Sequence, residues 1–251
     1  MRRLSYHEAM GVLGLGDLHP GGAAATESLL TELDRHRPTR VLEIGAGIGM
    51  TTARMLARGW KVVSVEPNEV LRRCLRERVN VAAFAGSFET FDDAGSAESY
   101  DAVIGESVFY GTELAASFRK VHRLLRPGGC LALVDMVWTA AACAASNAAA
   151  VAALHDETKR IFGIAMASRE ALAWLDWKRI LTAAGFTALV ERRVAPLAPH
   201  STSRRSKTAI LRGALGHPLA FLQAAKHRRW FRQVEVPPGW TETWLSVWQR
   251  T

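Results

Sequence analysis

No run of 18 or more apolar residues occurs in this 251-residue chain, although 49% of it is hydrophobic. A helix that crosses a bilayer needs about 20 such residues, so no transmembrane segment is expected. The stretch 139–154 comes nearest, but it is mostly alanine, and Ser146 and Asn147 interrupt it. The N-terminus, Met1-Arg2-Arg3-Leu4-Ser5-Tyr6-His7-Glu8, has no apolar signal-peptide core. Cysteine is scarce. Cys74, Cys130 and Cys143 show neither metal-ligand spacing nor a disulfide pattern. A cytoplasmic location and the absence of a metal site are therefore expected. Internal repeats are absent. Acids are missing from one long stretch: from Arg192 to Arg232 there are ten Arg and Lys residues and no Asp or Glu. The net charge of +8 thus belongs to one late segment.

What is present is α/β alternation, in a length that suits one elaborated domain or two small ones. It centres on Val41-Leu42-Glu43-Ile44-Gly45-Ala46-Gly47-Ile48-Gly49. Residues 40–44 read as a buried strand, three glycines follow at alternate positions, and 50–57 reads as a helix opening with Thr51 and Thr52. Strand, glycine-rich turn and helix form the layout of a nucleotide-cradling loop. Glycine permits close approach of backbone to ligand, and the N–H groups at a helix start offer donors and partial positive charge. Glu43 would repel a pyrophosphate but suits a ligand bearing an ammonium group. A second strand, 61–66, ends in Glu66, an acid placed to hold the two hydroxyls of a ribose.

Glu43-Ile44-Gly45-Ala46-Gly47-Ile48-Gly49 resembles motif I of the class I S-adenosylmethionine-dependent methyltransferases. Glu66 matches their ribose-binding acid. Ser99-Tyr100-Asp101-Ala102-Val103-Ile104 is similar to the family's fourth strand, and Leu124-Leu125-Arg126-Pro127-Gly128-Gly129 to the turn before the fifth. The resemblance is specific over 39–136 and looser elsewhere. It implies a Rossmann-like seven-stranded α/β sheet of order 3-2-1-4-5-7-6, last strand antiparallel, with helices on both faces. One domain is expected: an N-terminal helical cap (1–38), a cofactor core (39–137), a helical lid (138–184), and C-terminal strands with a basic helical insertion (185–251).

The resemblance also implies S-adenosylmethionine as cofactor, with Glu43, Gly45, Ala46, Gly47 and Gly49 at its methionine end and Glu66 with Pro67 at its ribose. Before the first strand, His19-Pro20-Gly21-Gly22 is similar to a segment that lies over the methionine end in some small-molecule methyltransferases. There Gly21 and Gly22 would present N–H groups to a carboxylate. Read plainly, it is a turn before a helix. Where the family usually places an acid for the adenine amino group, this chain has Ser87. Ser87 or nearby backbone would replace the acid, and Phe88 would either stack on the ring or pack in the core.

Glu106 lies just past a buried strand, at the point where such sheets reverse their order and collect ligands. A carboxylate there needs a partner. Glu106 and His19 are the candidate acid–base groups, and Tyr110 is placed to line an acceptor pocket. Trp138, Trp174 and Trp177 suit either an aromatic acceptor pocket or ordinary core. His155 with Asp156 reads as a solvated helix face, or else a catalytic pair. The leading functional expectation is methylation of a small-molecule acceptor, such as a secondary metabolite. The second is RNA methylation, with the basic segment 192–232 neutralising phosphates and Trp230 and Phe231 stacking on bases. The third is cofactor binding without methyl transfer. The basic segment equally suits an anionic acceptor or a membrane surface, and a homodimer is open.

Overall fold

The computed structural model describes residues 4–92, 97–162, 167–168, 170–194, 215–231 and 236–251. Seven strands form one sheet: β1 (Arg40–Ile44), β2 (Lys61–Val65), β3 (Ala83–Phe84), β4 (Tyr100–Glu106), β5 (Leu125–Trp138), β6 (Phe186–Val194) and β7 (Thr241–Arg250). Their order is β3-β2-β1-β4-β5-β7-β6. β1 to β5 run parallel, and β7 is antiparallel to both β5 and β6. The expected Rossmann-like α/β architecture is therefore present, antiparallel last strand included.

Side chains alternate between the two faces of a strand, and this sorts the core. Leu42, Ile44, Val103, Leu131, Leu133 and Val137 pack on one face with helices α5 (Leu114–Leu124) and α7 (Trp174–Ala183). Val41, Ala102, Ile104, Cys130, Ala132 and Val134 pack on the other, with α2 (Gly22–Asp34) and α3 (Met50–Ala57). The same alternation sends Glu43 and Glu106 toward α2 and α3. It sends Asp135 to the opposite side.

α1 (Tyr6–Val12) is opened by a reciprocal cap: Glu8 N–H donates to Ser5 Oγ at 3.3 Å and Ser5 N–H to Glu8 Oε2 at 2.8 Å. Asn68 caps α4 (Glu69–Val79) and also donates through Nδ2 to Glu8 Oε1 at 3.0 Å, which docks α1 over the ends of the strands. The inserted helix α6 (Ala148–Phe162) lies between β5 and α7, and α8 (Pro218–Phe231) packs on α1 through Ala220 and Ala224 against Ala9 and Leu13.

Several expectations shift. The third strand is short and pairs with β2 only at Ala83 and Phe84. The expected lid, 138–184, does not start as a helix: turns come first, and the alanine-rich helix begins at Ala148. The turn at 126–129 lies inside β5: Leu125 pairs with Tyr100 and Cys130 with Ala102, so four residues bulge out of the ladder. Arg204, Arg205, Lys207, Arg212 and Arg232 lie outside the described residues.

Candidate active site

A cavity of about 1540 Å³ opens above the carboxyl ends of β1, β2, β4 and β5. Three carboxylates converge on it, each held by two donors. Glu43 Oε2 accepts from Thr52 Oγ1 at 2.5 Å and Ser64 Oγ at 3.0 Å. Glu66 accepts from Gly47 N–H and Asn68 N–H, both at 2.8 Å. Glu106 accepts from Thr26 Oγ1 at 2.8 Å and Thr51 Oγ1 at 2.6 Å. Burial pushes the Glu43 carboxyl up to about 8, against the pull of its two hydroxyl bonds. Burial also raises Glu66 above the usual carboxylate range.

The glycine loop is shaped from within. Gly45 and Ala46 N–H both donate to the Val65 carbonyl, at 2.8 and 3.1 Å, and Gly49 N–H donates to Ala46 O at 2.9 Å. With Gly47 on Glu66, these loop donors are used within the protein and hold the turn in shape. Gly45 has φ +74°, and a Cβ there would meet Val108 Cγ2 at 2.5 Å, so only glycine fits. A Cβ on Gly47, which lines the cavity, would meet nothing within 4 Å and would stand in the cavity itself.

His19 hangs over this end from the loop before α2. Arg54 of α3 forks onto Asp17 at 2.7 and 2.8 Å and anchors that loop. His19 Nε2 lies 3.1 Å from Thr26 Oγ1 and 3.5 Å from Glu106 Oε1, and Nδ1 lies 3.1 Å from the Pro20 carbonyl. The two expected acid–base residues thus meet, bridged by a threonine with one proton to give. Gly21 and Gly22 are not at the cavity wall. Gly21 has φ +80° and its Cα faces Val194 and Ala25, while Gly22 N–H donates to His19 O at 3.0 Å. Their expected place against a ligand is replaced by a role in shaping the His19 loop. Gly49 likewise lies behind the wall, against Leu75.

Pro67, Ser87 and Phe88 line the cavity beyond Glu66. Phe88 is also core: it is 3% exposed and meets Phe109 edge-on with centroids 6.2 Å apart. Lys120 of α5 pins this loop by donating to the carbonyls of Phe88, Glu89 and Phe91.

Ser107 follows β4 with φ +56°, a conformation that costs a non-glycine residue energy and recurs at functional sites. Its Oγ is buried without a hydrogen-bond partner, and the residue lines the cavity. Tyr110 also lines it, in a 3-10 turn held from below by Asp135, whose Oδ2 accepts the Phe109 N–H at 3.4 Å. Burial, then the Asp135 charge, raises the Tyr110 hydroxyl above its ordinary range, and burial raises Asp135 as well.

The far end is lined by Met136, His155, Lys159, Arg193 and Thr243. His155 is not solvated as expected: it is 8% exposed and bonds Ala167 O through Nδ1 at 2.9 Å. The tryptophans do not form an acceptor pocket. Trp138 donates to Ser168 O at 2.7 Å, and Trp174 and Trp177 pack with Phe118, Trp244 and Trp248 beneath the sheet. Thr26, Ser64, Asp135 and Lys120 were not picked out in the sequence, and Thr51 and Thr52 were read only as a helix start. The signal for the threonines was that strand alternation aims Glu43 and Glu106 at the first turns of α2 and α3.

Residues 41–129 match the family model of a methyltransferase domain. An uncharacterised methyltransferase of Bacillus subtilis is 27% identical over 131 residues, 50% of this chain and 55% of that protein. One of Mycobacterium tuberculosis is 37% identical over 99 residues, 38% of this chain and 39% of that protein. The chain therefore spans about half or less of the length of these relatives. Among solved structures, geranyl diphosphate C-methyltransferase from Streptomyces coelicolor shares the fold with TM-score 0.62 at 14% identity, covering 92% of this chain and 78% of that one. With motif I on the tip of β1, the acid at the end of β2 and this strand order, residues 41–129 form a methyltransferase domain of the class I, S-adenosylmethionine-dependent type.

Proposed function

We propose that the protein transfers a methyl group from S-adenosylmethionine to a small-molecule acceptor. The cavity carries this reading. Single-ligand sites occupy about 300–1,000 Å³, and about 1540 Å³ suits a cofactor and an acceptor side by side. Its chemistry fits the cofactor. A cationic ligand with a diol suits three acids, since its charge would offset the burial that raises Glu43 and Glu66. The Gly47 cradle and the unpartnered Ser107 hydroxyl suit a ligand that fills this end.

Glu66 would hold the ribose hydroxyls, its carboxylate already oriented by Gly47 and Asn68. Glu43 would lie beneath the ammonium end. When bound, S-adenosylmethionine supplies a methyl group already activated by its sulfonium charge. The protein's main contribution is then alignment, which is worth on the order of 7–11 kcal/mol. Where the acceptor must lose a proton, His19 takes it. With the ring neutral, Nδ1–H donates to Pro20 O and the Nε2 lone pair takes the proton. Both ring nitrogens then face acceptors, Pro20 O and Thr26 Oγ1, while Thr26 keeps its O–H and donates it in a hydrogen bond to Glu106. The Glu106 carboxylate, 3.5 Å away, stabilises the imidazolium. The Streptomyces protein of this fold acts on geranyl diphosphate, a small molecule. Lys159 at the far end suits an acceptor bearing an anionic group, since Arg193 is already paired with Glu242 at 2.7 Å.

The test incubates purified protein with methyl-labelled S-adenosylmethionine and an extract of the source cells. Label in small molecules is the expected result. Label confined to RNA, or cofactor bound with label nowhere, overturns the reading.

A further inference from the structure

The geometry of α8 points to a membrane-facing surface, and we propose that its outer face docks on an anionic lipid bilayer. The helix has two unlike sides. Ala220 and Ala224 are buried on α1, and Gln223 Oε1 accepts the Leu4 N–H at 3.0 Å. On the other side, Leu219 and Leu222 are 48% and 62% exposed, at i and i+3, and the exposed Lys226 follows at i+7. Leu215, just before the break at His217 that precedes the helix, is 78% exposed. Phe221 beside them is 39% exposed. Isolated exposed leucines need no explanation, but four large apolar side chains exposed within eight residues do.

Charge decides the occupant. α8 contains Lys226, Arg228 and Arg229 and no acid, and it belongs to the stretch from Arg192 to Arg232 that has ten basic residues and none acidic. An apolar stripe running into basic residues is the composition of an interfacial helix, which sinks its leucines among acyl chains and leaves its cations at the headgroups. A second copy of the chain would set this basic stretch against itself across a two-fold interface. Nucleic acid would satisfy the cations but leave the leucines in water. Among the described residues no helix is long and apolar enough to cross a membrane, so binding would be in the plane of the interface. α8 touches both α1 and α6, whose residues Tyr6, His7, His155 and Lys159 line the cavity. Docking would hold the cavity's roof at the surface where an acceptor with an apolar chain accumulates.

The test is sedimentation of the whole protein with vesicles of phosphatidylcholine, alone or mixed with phosphatidylglycerol. The expected result is binding to the mixed vesicles only, weakened by salt. Leu219→Glu/Leu222→Glu lowers the partition by at least about tenfold, and Lys226→Glu by about fivefold. Both variants keep the wild-type melting temperature and cofactor affinity, since neither position touches the cavity. Absence of binding, or equal binding by the double variant, overturns the proposal. So does a dimer that the double substitution disperses, or RNA that displaces the vesicles.

Discussion

The two ends of the cavity are built differently. At the cofactor end three acids are each fixed by two donors from the sheet, the glycine turn or helix starts: Thr52 and Ser64 on Glu43, Gly47 and Asn68 on Glu66, Thr26 and Thr51 on Glu106. At the far end, His155 and Lys159 come from the inserted helix α6, and Arg193 and Thr243 from the last two strands. The first arrangement is preorganised and depends on strand register. The second depends on additions to the sheet. A rigid scaffold that carries variable elements at its ligand end lets one fold serve many acceptors. The contrast teaches where substitutions act: on binding and proton transfer at one end, on acceptor choice at the other.

Four experiments break or sharpen that contrast. The largest effect is expected from Glu106→Gln, which removes the charge that stabilises His19. Turnover should fall by about two to four powers of ten while cofactor affinity changes little, as read from kcat and from calorimetry. A fall in affinity alone would move Glu106 from proton transfer to cofactor binding. Next, Trp177→Ala removes a fully buried side chain from the core beneath the sheet. It should cost about 3–5 kcal/mol in urea unfolding. Altered acceptor selectivity with unchanged stability would restore the aromatic pocket that the fold otherwise rules out.

Glu43 gives a pH signature. Its folded value of about 8 lies above the unfolded 4.5, so the native state holds the extra proton between them. As far as this group is concerned, stability of the ligand-free protein is then full and level below about pH 4.5. It falls as pH rises toward 8, by up to ~4 kcal/mol. Glu43→Gln should flatten that slope in thermal melts taken between pH 5 and 8. An unchanged slope would mean that the carboxyl is ionised within its cage of hydroxyls.

How much of this was legible in the sequence follows from which interactions are local. Strand β1, its glycine turn and the start of α3 are contiguous, so their pattern was readable, and Glu66 was placed by the end of its strand. Hydrophobic alternation in β1 and β4 was sufficient to aim Glu43 and Glu106. The donors that hold them come from 9 to 80 residues away in sequence, and nothing local marks Thr26 or Ser64 as partners. The Gly21-Gly22 pair was read as a helix start that presents N–H groups to a ligand carboxylate. Here the Gly22 N–H closes a turn onto His19 O, and Gly21 packs against Val194 and Ala25. His155 was read as solvated from its polar neighbours on α6, but a backbone carbonyl twelve residues on draws its ring inward.

The most direct measurement is calorimetric titration of S-adenosylmethionine into the purified protein and into Glu66→Ala. Two charge-assisted bonds to a ribose diol predict an affinity at least about tenfold weaker in the variant, with an unchanged melting profile in the absence of ligand. Affinity within twofold of wild type would contradict the placement of the cofactor's ribose on the end of β2, and with it the reading of the cavity.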